Sequence, residues 1–248
     1  MVQYDLIVVV MGCDTKQKYK DQILKIEETY GKLIHGMPNV KLLYFLGEEV
    51  VLEGEQFIHS KGVTNDYKSV SVKQFHGLKY VHEHFDTKFV MCIGTDTYLN
   101  VKKLMKFLQD FNSSKPLYIG GHGAFITLHG KSYYYHGGGP GFILTKKALE
   151  LLYPKIKDID DFLHEWLEIR VKDYPDYYGA CDFWMGILAE ETNMDLVIAN
   201  GFYFCNHIGF PCHTGLVFLN DIISCHCMSL EDCDIFTKTL EQYNYFVD

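Results

Sequence analysis

"KFVMCIGTDTYLN" occupies Lys88–Asn100, and its reading decides the fold. Lys88–Ile93 is an apolar run of strand length without polar alternation, which fits a strand buried on both faces. It stops at Gly94-Thr95-Asp96, and "VKKLMKFLQDF" (Val101–Phe111) behind it is helical by spacing. Upstream, "YDLIVVVM" (Tyr4–Met11) is a β-branched run ending at Gly12, and "VKLLYFLG" (Val40–Gly47) is a second strand stopped by glycine. Lys16–Tyr30 carries Ile23, Ile26 and Tyr30 on one side, and Val70–Phe85 carries Phe75, Leu78 and Val81, so both are predicted helices. Strands alternating with helices predict an α/β fold, a Rossmann-like, mostly parallel central sheet flanked by helices.

The second half reads differently. "PLYIGGHGAFITLHGKSYYYHGGGPGFILT" is rich in glycine and tyrosine, so short irregular strands or hairpins are expected there. Helices return at Lys146–Leu152, Asp160–Arg170 and Asp182–Glu191, and the tail after Leu196 reads as loop. No repeat, low-complexity tract or Pro/Ser-rich linker interrupts the 248 residues, which favours a single domain over 1–248.

Composition narrows the function. Hydrophobic residues make up 48% and aromatics 15%, enough for a globular core. The net charge is −9 and Arg170 is the only arginine, which excludes a nucleic-acid binder relying on a basic surface. An anionic ligand would therefore need a metal ion or lysines to offset its charge. No apolar run reaches the ~18 residues of a membrane-spanning helix. Eight cysteines, without an export signal, read as reduced thiols; Cys13 and Cys92 fall in or at the end of core strands.

Ligands of open α/β sheets bind beyond the carboxyl ends of the strands, and Asp96 lies at such an end. It can hold a divalent cation, or it can cap the helix that starts near Val101. "HGGGPGFILTKKALELL" (His136–Leu152) offers a glycine loop that either approaches a ligand or turns into a strand. Asp182 in "YGACDFWMGILAEE" can cap its helix or, desolvated beside Trp184, act as a general base. In "IISCHCMS", His226 between two cysteines is a candidate metal ligand. A structural zinc site from Cys205, His207, Cys212, His213, Cys225, His226 and Cys227 is a rival reading, as is a Cys-His nucleophilic pair.

In order, these pieces resemble the β-1,3-glycosyltransferase family that includes Fringe and the core 1 galactosyltransferase. "IEETYG" (Ile26–Gly31) is similar to the family's Ile-Arg-x-Thr-Trp-Gly, and "DYKSVSVKQFHGLKYV" (Asp66–Val81) to its Asp-Ser-Tyr-x-Asn-Leu-Thr-x-Lys, matching at Tyr67 and Lys73. "KFVMCIGTDTYLN" stands where the family writes Lys-Phe-Val…Asp-Asp-Asp-x-Phe/Tyr-Val-Asn. "HGGGPGFILT" resembles Gly-Gly-x-Gly-Tyr-Val-Leu-Ser, "CDFWMG" Glu-Asp-Val-x-x-Gly, and "ISCHCMS" Ile-Ser-x-His.

The resemblance implies a GT-A fold, with a nucleotide-binding half at 1–112 and an acceptor and catalytic half at 113–248. It implies a UDP-sugar donor, a glycan or glycoprotein acceptor, and Mn²⁺ or Mg²⁺ held by Asp96 and His226, with inversion at the anomeric carbon. Asp182 takes the place of the catalytic base. Met11, Lys73, Gly94, Thr95, Gly138 and Gly139 fall at donor contacts, and His136 and Trp184 at acceptor or sugar contacts. Gly94 and Thr95 replace two of the family's aspartates, Glu27 replaces an arginine, and Cys181 replaces the glutamate beside the base. A non-catalytic carbohydrate- or protein-binding module on the same fold is the alternative. A complete chain would be cytoplasmic, as in a soluble bacterial or viral enzyme; a trimmed one would belong to the Golgi lumen.

Overall fold

The computed structural model describes residues 3–66, 68–204 and 221–242. Tyr67 and the Cys205, His207, Cys212 and His213 of the zinc reading lie outside the described residues. Strand β1 (Gln3–Met11) sits inside a seven-stranded sheet, flanked by β2 (Val40–Leu46) and β4 (Asp86–Gly94), both parallel to it. β3 (Phe57–His59) pairs with β2 at one edge. On the other side β9 (Phe142–Thr145) runs antiparallel between β4 and β6 (Leu117–Gly120), and β10 (Asp195–Ile198) closes that edge. The expected mostly parallel sheet is present, and strands from both halves of the chain build it.

Side-chain alternation along β1 divides the core. Leu6, Val8 and Val10 face one layer, with α1 (Gln17–Ile26), α2 (Lys32–His35), α4 (Val101–Leu108) and α8 (Leu230–Gln242). Ile7, Val9 and Met11 face the other, with α3 (Ser69–His84), α5 (Lys146–Ile156), α6 (Ile159–His164) and α7 (Cys181–Glu191). A strand with helices on both faces has no polar side, which is why its sequence is continuously apolar. The helix leaving β1 and the helix entering β4 lie on opposite faces. In such sheets a crevice opens at that point, between the carboxyl ends of β1 and β4. Met11 and Gly94 stand level there as register partners.

Several boundaries differ from the sequence reading. The first helix stops at Ile26, and a kink at Thr29 (φ −107°, ψ −111°) separates it from α2. The Thr29 hydroxyl donates to the Lys25 carbonyl at 2.6 Å, taking an acceptor from the helix ladder. The Gly/Tyr-rich segment forms a hairpin, β7 (Gly123–Leu128) and β8 (Lys131–His136), closed by His129 and Gly130. Both turn residues have positive φ, 49° and 79°, as a tight hairpin turn that follows strand twist requires. The tail is not loop alone. Besides β10 it contains β11 (Phe202–Tyr203), β12 (Ser224–Cys225) and α8.

Candidate functional site

Asp96 and His226 meet because a small ladder brings the tail back across the sheet's end. β5 (Tyr98–Leu99) starts two residues after Asp96 and pairs antiparallel with β12, Leu99 opposite Ser224 and Tyr98 opposite Cys225. β11 flanks β12 on its other side. His226, next in line after β12, donates its own N–H to the Tyr203 carbonyl at 3.0 Å. Its Nε2 then lies 3.4 Å from Asp96 Oδ1. Its Nδ1 lies 2.9 Å from the Phe204 carbonyl. A carbonyl can only accept, so Nδ1 carries a proton; in the imidazolium Nε2 also donates to Asp96, and in the neutral ring its lone pair is left for a metal ion. Backbone anchoring of the far ring nitrogen is the usual device for orienting a metal-binding imidazole.

Asp96 does not cap the following helix. That task falls to Asn100, whose side chain accepts from the Lys103 N–H at 3.2 Å. Burial raises the Asp96 pKa, but the hydrogen bond and charge of His226 outweigh it and leave the carboxyl below its ordinary value. Burial likewise pulls the imidazole down, and the Asp96 partner more than reverses that. A carboxylate oxygen and a tautomer-fixed imidazole nitrogen form a donor set that suits Mn²⁺ or another divalent ion. Cys227 lies in the same cluster, with one donor atom from each of the three residues within 4.8 Å of the others.

Across the crevice Asp182 occupies the first turn of α7. Its Oδ1 accepts from the Phe183 N–H at 3.0 Å, which serves the helix start. Its Oδ2 accepts from the Gly138 N–H at 3.1 Å, which ties it to the glycine loop. Burial raises its pKa, only partly offset by those two bonds. The loop is folded by a Gly141 N–H to Gly138 carbonyl bond of 3.0 Å, and the Thr97 hydroxyl donates to the Gly139 carbonyl at 2.7 Å. One loop therefore touches both carboxylate corners. The glycines have a steric reason: a Cβ at Gly139 would come within 2.5 Å of His226 Nδ1.

The cleft between these groups encloses about 490 Å³ and is lined by Met11, Lys73, Gly94, Thr95, Asp96, Gly138, Gly139, Asp182 and His226 among others. All nine residues expected at donor, metal and base positions line this one cleft. Lys73 is buried, donating to the Gly12 carbonyl at 2.8 Å and to Asn65 Oδ1 at 3.0 Å. Its ammonium has three N–H donors, so one remains for the cleft it lines. Thr95 directs its hydroxyl to Gln22 Oε1 at 2.7 Å. A larger groove of about 680 Å³ between α3 and α6 is lined by His76 and by carboxylates including Asp66 and Asp160, but among the described residues only Asp96, His226 and Cys227 converge as metal-type donors.

Two expected sugar contacts are displaced. Trp184 is 1% exposed, its Nε1 donates to the Tyr177 carbonyl, and its rings pack on Phe75 and Trp166. The helical turn that aims Asp182 at the cleft points Trp184 into the core. His136 is fully buried, its ring nitrogens against the Gly121 and Tyr118 carbonyls at 2.6 and 3.2 Å. Neither offers a face to a sugar. Glu27 is also away from the cleft, accepting from the Tyr44 hydroxyl at 2.6 Å and contacting His35 at 2.9 Å. Burial pushes the Cys181 thiol up, the reverse of an activated nucleophile. Cys227 Sγ is 3.2 Å from His226 Nδ1, but that nitrogen's proton is held by Phe204, and Nε2, 3.9 Å from the sulfur, is turned to Asp96. Lys16, Tyr19 and Asn65 also line the cleft. Sequence reading missed them; the signal was their place past strand ends, Lys16 and Tyr19 at the start of α1 after β1 and Asn65 between β3 and α3.

A family profile described as Fringe-like matches residues 15–202. Human chondroitin sulfate synthase 3 is 31% identical over 160 residues, covering 59% of this chain and 18% of the human protein. Its mouse counterpart is 37% identical over 103 residues, covering 38% and 12%. The chain thus spans less than a fifth of the length of the curated relatives it matches. Among solved structures, a glycosyltransferase involved in glycosylation of the PBCV-1 major capsid superposes with a TM-score of 0.56 at 14% identity, covering 94% of this chain and 99% of that one. Galactosyltransferase LgtC, solved with donor and acceptor sugar analogues, gives 0.53 at 14% identity, covering 94% and 95%. With the profile spanning most of its length and the sheet arranged as in these structures, the chain belongs to the Fringe-like glycosyltransferase family and has the GT-A fold.

Proposed function

We propose that the protein is a metal-dependent, inverting glycosyltransferase that moves a sugar from a UDP-sugar to a hydroxyl of a glycan or glycoprotein. The observation that supports this most is the convergence of the Asp96–His226 pair and the loop-held Asp182 on one cleft at the carboxyl ends of β1 and β4. A Mn²⁺ or Mg²⁺ ion bound by Asp96 and His226 would offset the diphosphate charge of the donor. Asp182 has a fixed orientation, and its raised pKa suits a base. It takes the acceptor hydroxyl proton as that oxygen attacks the anomeric carbon from the side opposite the diphosphate. The carbon–oxygen bond to UDP breaks, its electron pair leaves with UDP, and the configuration inverts. Lys73 and the Gly138–Gly139 backbone border the donor.

The donors to try are UDP-galactose, UDP-N-acetylglucosamine, UDP-glucose and UDP-xylose. The names of the curated relatives make a chondroitin-type glycan the first acceptor to test. Slow hydrolysis of one donor with Mn²⁺ and no acceptor is expected. Asp182→Asn should reduce transfer by roughly 10²- to 10⁴-fold, the usual worth of a general base, while UDP binding by calorimetry persists. Asp96→Ala should lose the Mn²⁺-supported part of UDP binding. A folded protein that turns over none of the donors would favour the binding-module reading, to which Gly94 and Thr95 in place of two family aspartates lend support.

A further inference from the structure

We infer that Cys227 is a third ligand of the cleft's metal site, making it a carboxylate–imidazole–thiolate site selective for thiophilic ions over Mg²⁺. This rests on reading Asp96 and His226 as metal ligands. The first support is register. Extending the β5–β12 ladder by two residues places position 227 opposite position 96, and the Met228 N–H donates to the Asp96 carbonyl at 3.0 Å. Cys227 is therefore pinned beside Asp96 by backbone hydrogen bonding, independently of either side chain.

The second support is distance. Cys227 Sγ lies 3.9 Å from His226 Nε2, and that nitrogen lies 3.4 Å from Asp96 Oδ1. The three donor atoms lie within 4.8 Å of one another, against roughly 3.3 to 3.6 Å for ligands about 2.0 to 2.3 Å from one tetrahedral ion, so shifts on the order of 1 Å close the set. Cys227 also has a φ of 58°, uncommon for a residue with a side chain.

The third support is access. Asp96 lines the main cleft together with His226, and it also lines a neighbouring cavity of about 390 Å³ together with Cys227. An ion among the three would be held from behind by the thiolate, leaving its front coordination positions open to the cleft. Binding replaces the Sγ–H bond with an Sγ–metal bond and releases the proton to solvent. Thiolate ligands favour Zn²⁺ and other soft ions, whereas Mg²⁺ prefers oxygen.

The test is spectroscopic. With one equivalent of Co²⁺, the parent protein should show a near-ultraviolet thiolate-to-cobalt band. Cys227→Ala and Cys227→Ser should lose it while keeping the parent's circular dichroism, and Cys225→Ala should retain it. Zn²⁺ affinity should fall roughly 10- to 100-fold in Cys227→Ala, with Mg²⁺ affinity nearly unchanged. Zinc X-ray absorption of the parent needs no variant: a sulfur at about 2.3 Å is expected. A shell of nitrogen and oxygen only, or a band that survives in a folded Cys227 variant, would overturn the thiolate while leaving the Asp96–His226 site standing. No ion bound at all would remove both readings.

Discussion

Asp182 ties the chemistry of the cleft to the acidity of the medium. Its folded-state pKa is raised, chiefly by burial, so ionising it is less favourable in the folded protein than in the unfolded chain. Its contribution to stability is complete below the unfolded value of about 3.9 and is lost as pH rises through the folded pKa. A base must be ionised, so transfer should fall on the acid side as Asp182 is protonated. Stability should move the other way. The melting temperature of Asp182→Asn, relative to the parent, should climb with pH from about 4 and then level off, as thermal denaturation at several pH values would show. A flat difference would mean that burial does not govern this carboxyl. Gly139 carries a steric counterpart. A methyl there meets His226 Nδ1, so Gly139→Ala should weaken Mn²⁺ binding roughly 10- to 100-fold, as loss of ligand orientation does, measured by calorimetry.

Among the elements, β5 and its continuation into α4 have most influence over the site. Asn100 caps α4 and donates its backbone N–H to the Ile223 carbonyl at 2.9 Å, joining the helix to the returning tail. Asn100→Ala removes the cap, a change of about 1 kcal/mol, and should lower the melting temperature by roughly 2 to 4 °C. β1, β2 and β4 were legible in the sequence because each is buried on both faces and reads as an apolar run. α8 was not, since LEDCDIFTKTLEQ buries only Phe236 and Leu240 and shows little apolar stripe. β10 lies at a sheet edge with mostly exposed side chains, and β5, β11 and β12 are two residues each, too short for any periodicity. The site followed the same division. Asp96 and Asp182 stand on elements that the sequence predicts, whereas Trp184 was misplaced because a helix start fixes the phase of its residues only once the helix is docked. Asn65 went unnoticed because its part in the cleft depends on Lys73 arriving from α3.

For the whole molecule, ligands should act as stabilisers. A ligand that binds only the folded state raises stability by about 2.7 kcal/mol at a hundred times its dissociation constant. UDP with Mn²⁺ should therefore raise the melting temperature more than UDP alone, and a chelator should remove the difference; equal shifts would separate nucleotide binding from the metal. No helix among the described residues is long and apolar enough to cross a membrane. The ladder between β5 and β12 also has a consequence for protein synthesis. Tyr98 and Cys225 are partners across more than half the chain, and contacts of such range form late because a long loop must close first. A ribosome-bound chain that has reached residue 202, where the family match ends, already carries Asp96 and Asp182 but not His226. All seven strands of the central sheet are thus synthesised before His226, so the growing polypeptide holds the frame of the cleft before it holds the residue that pairs with Asp96.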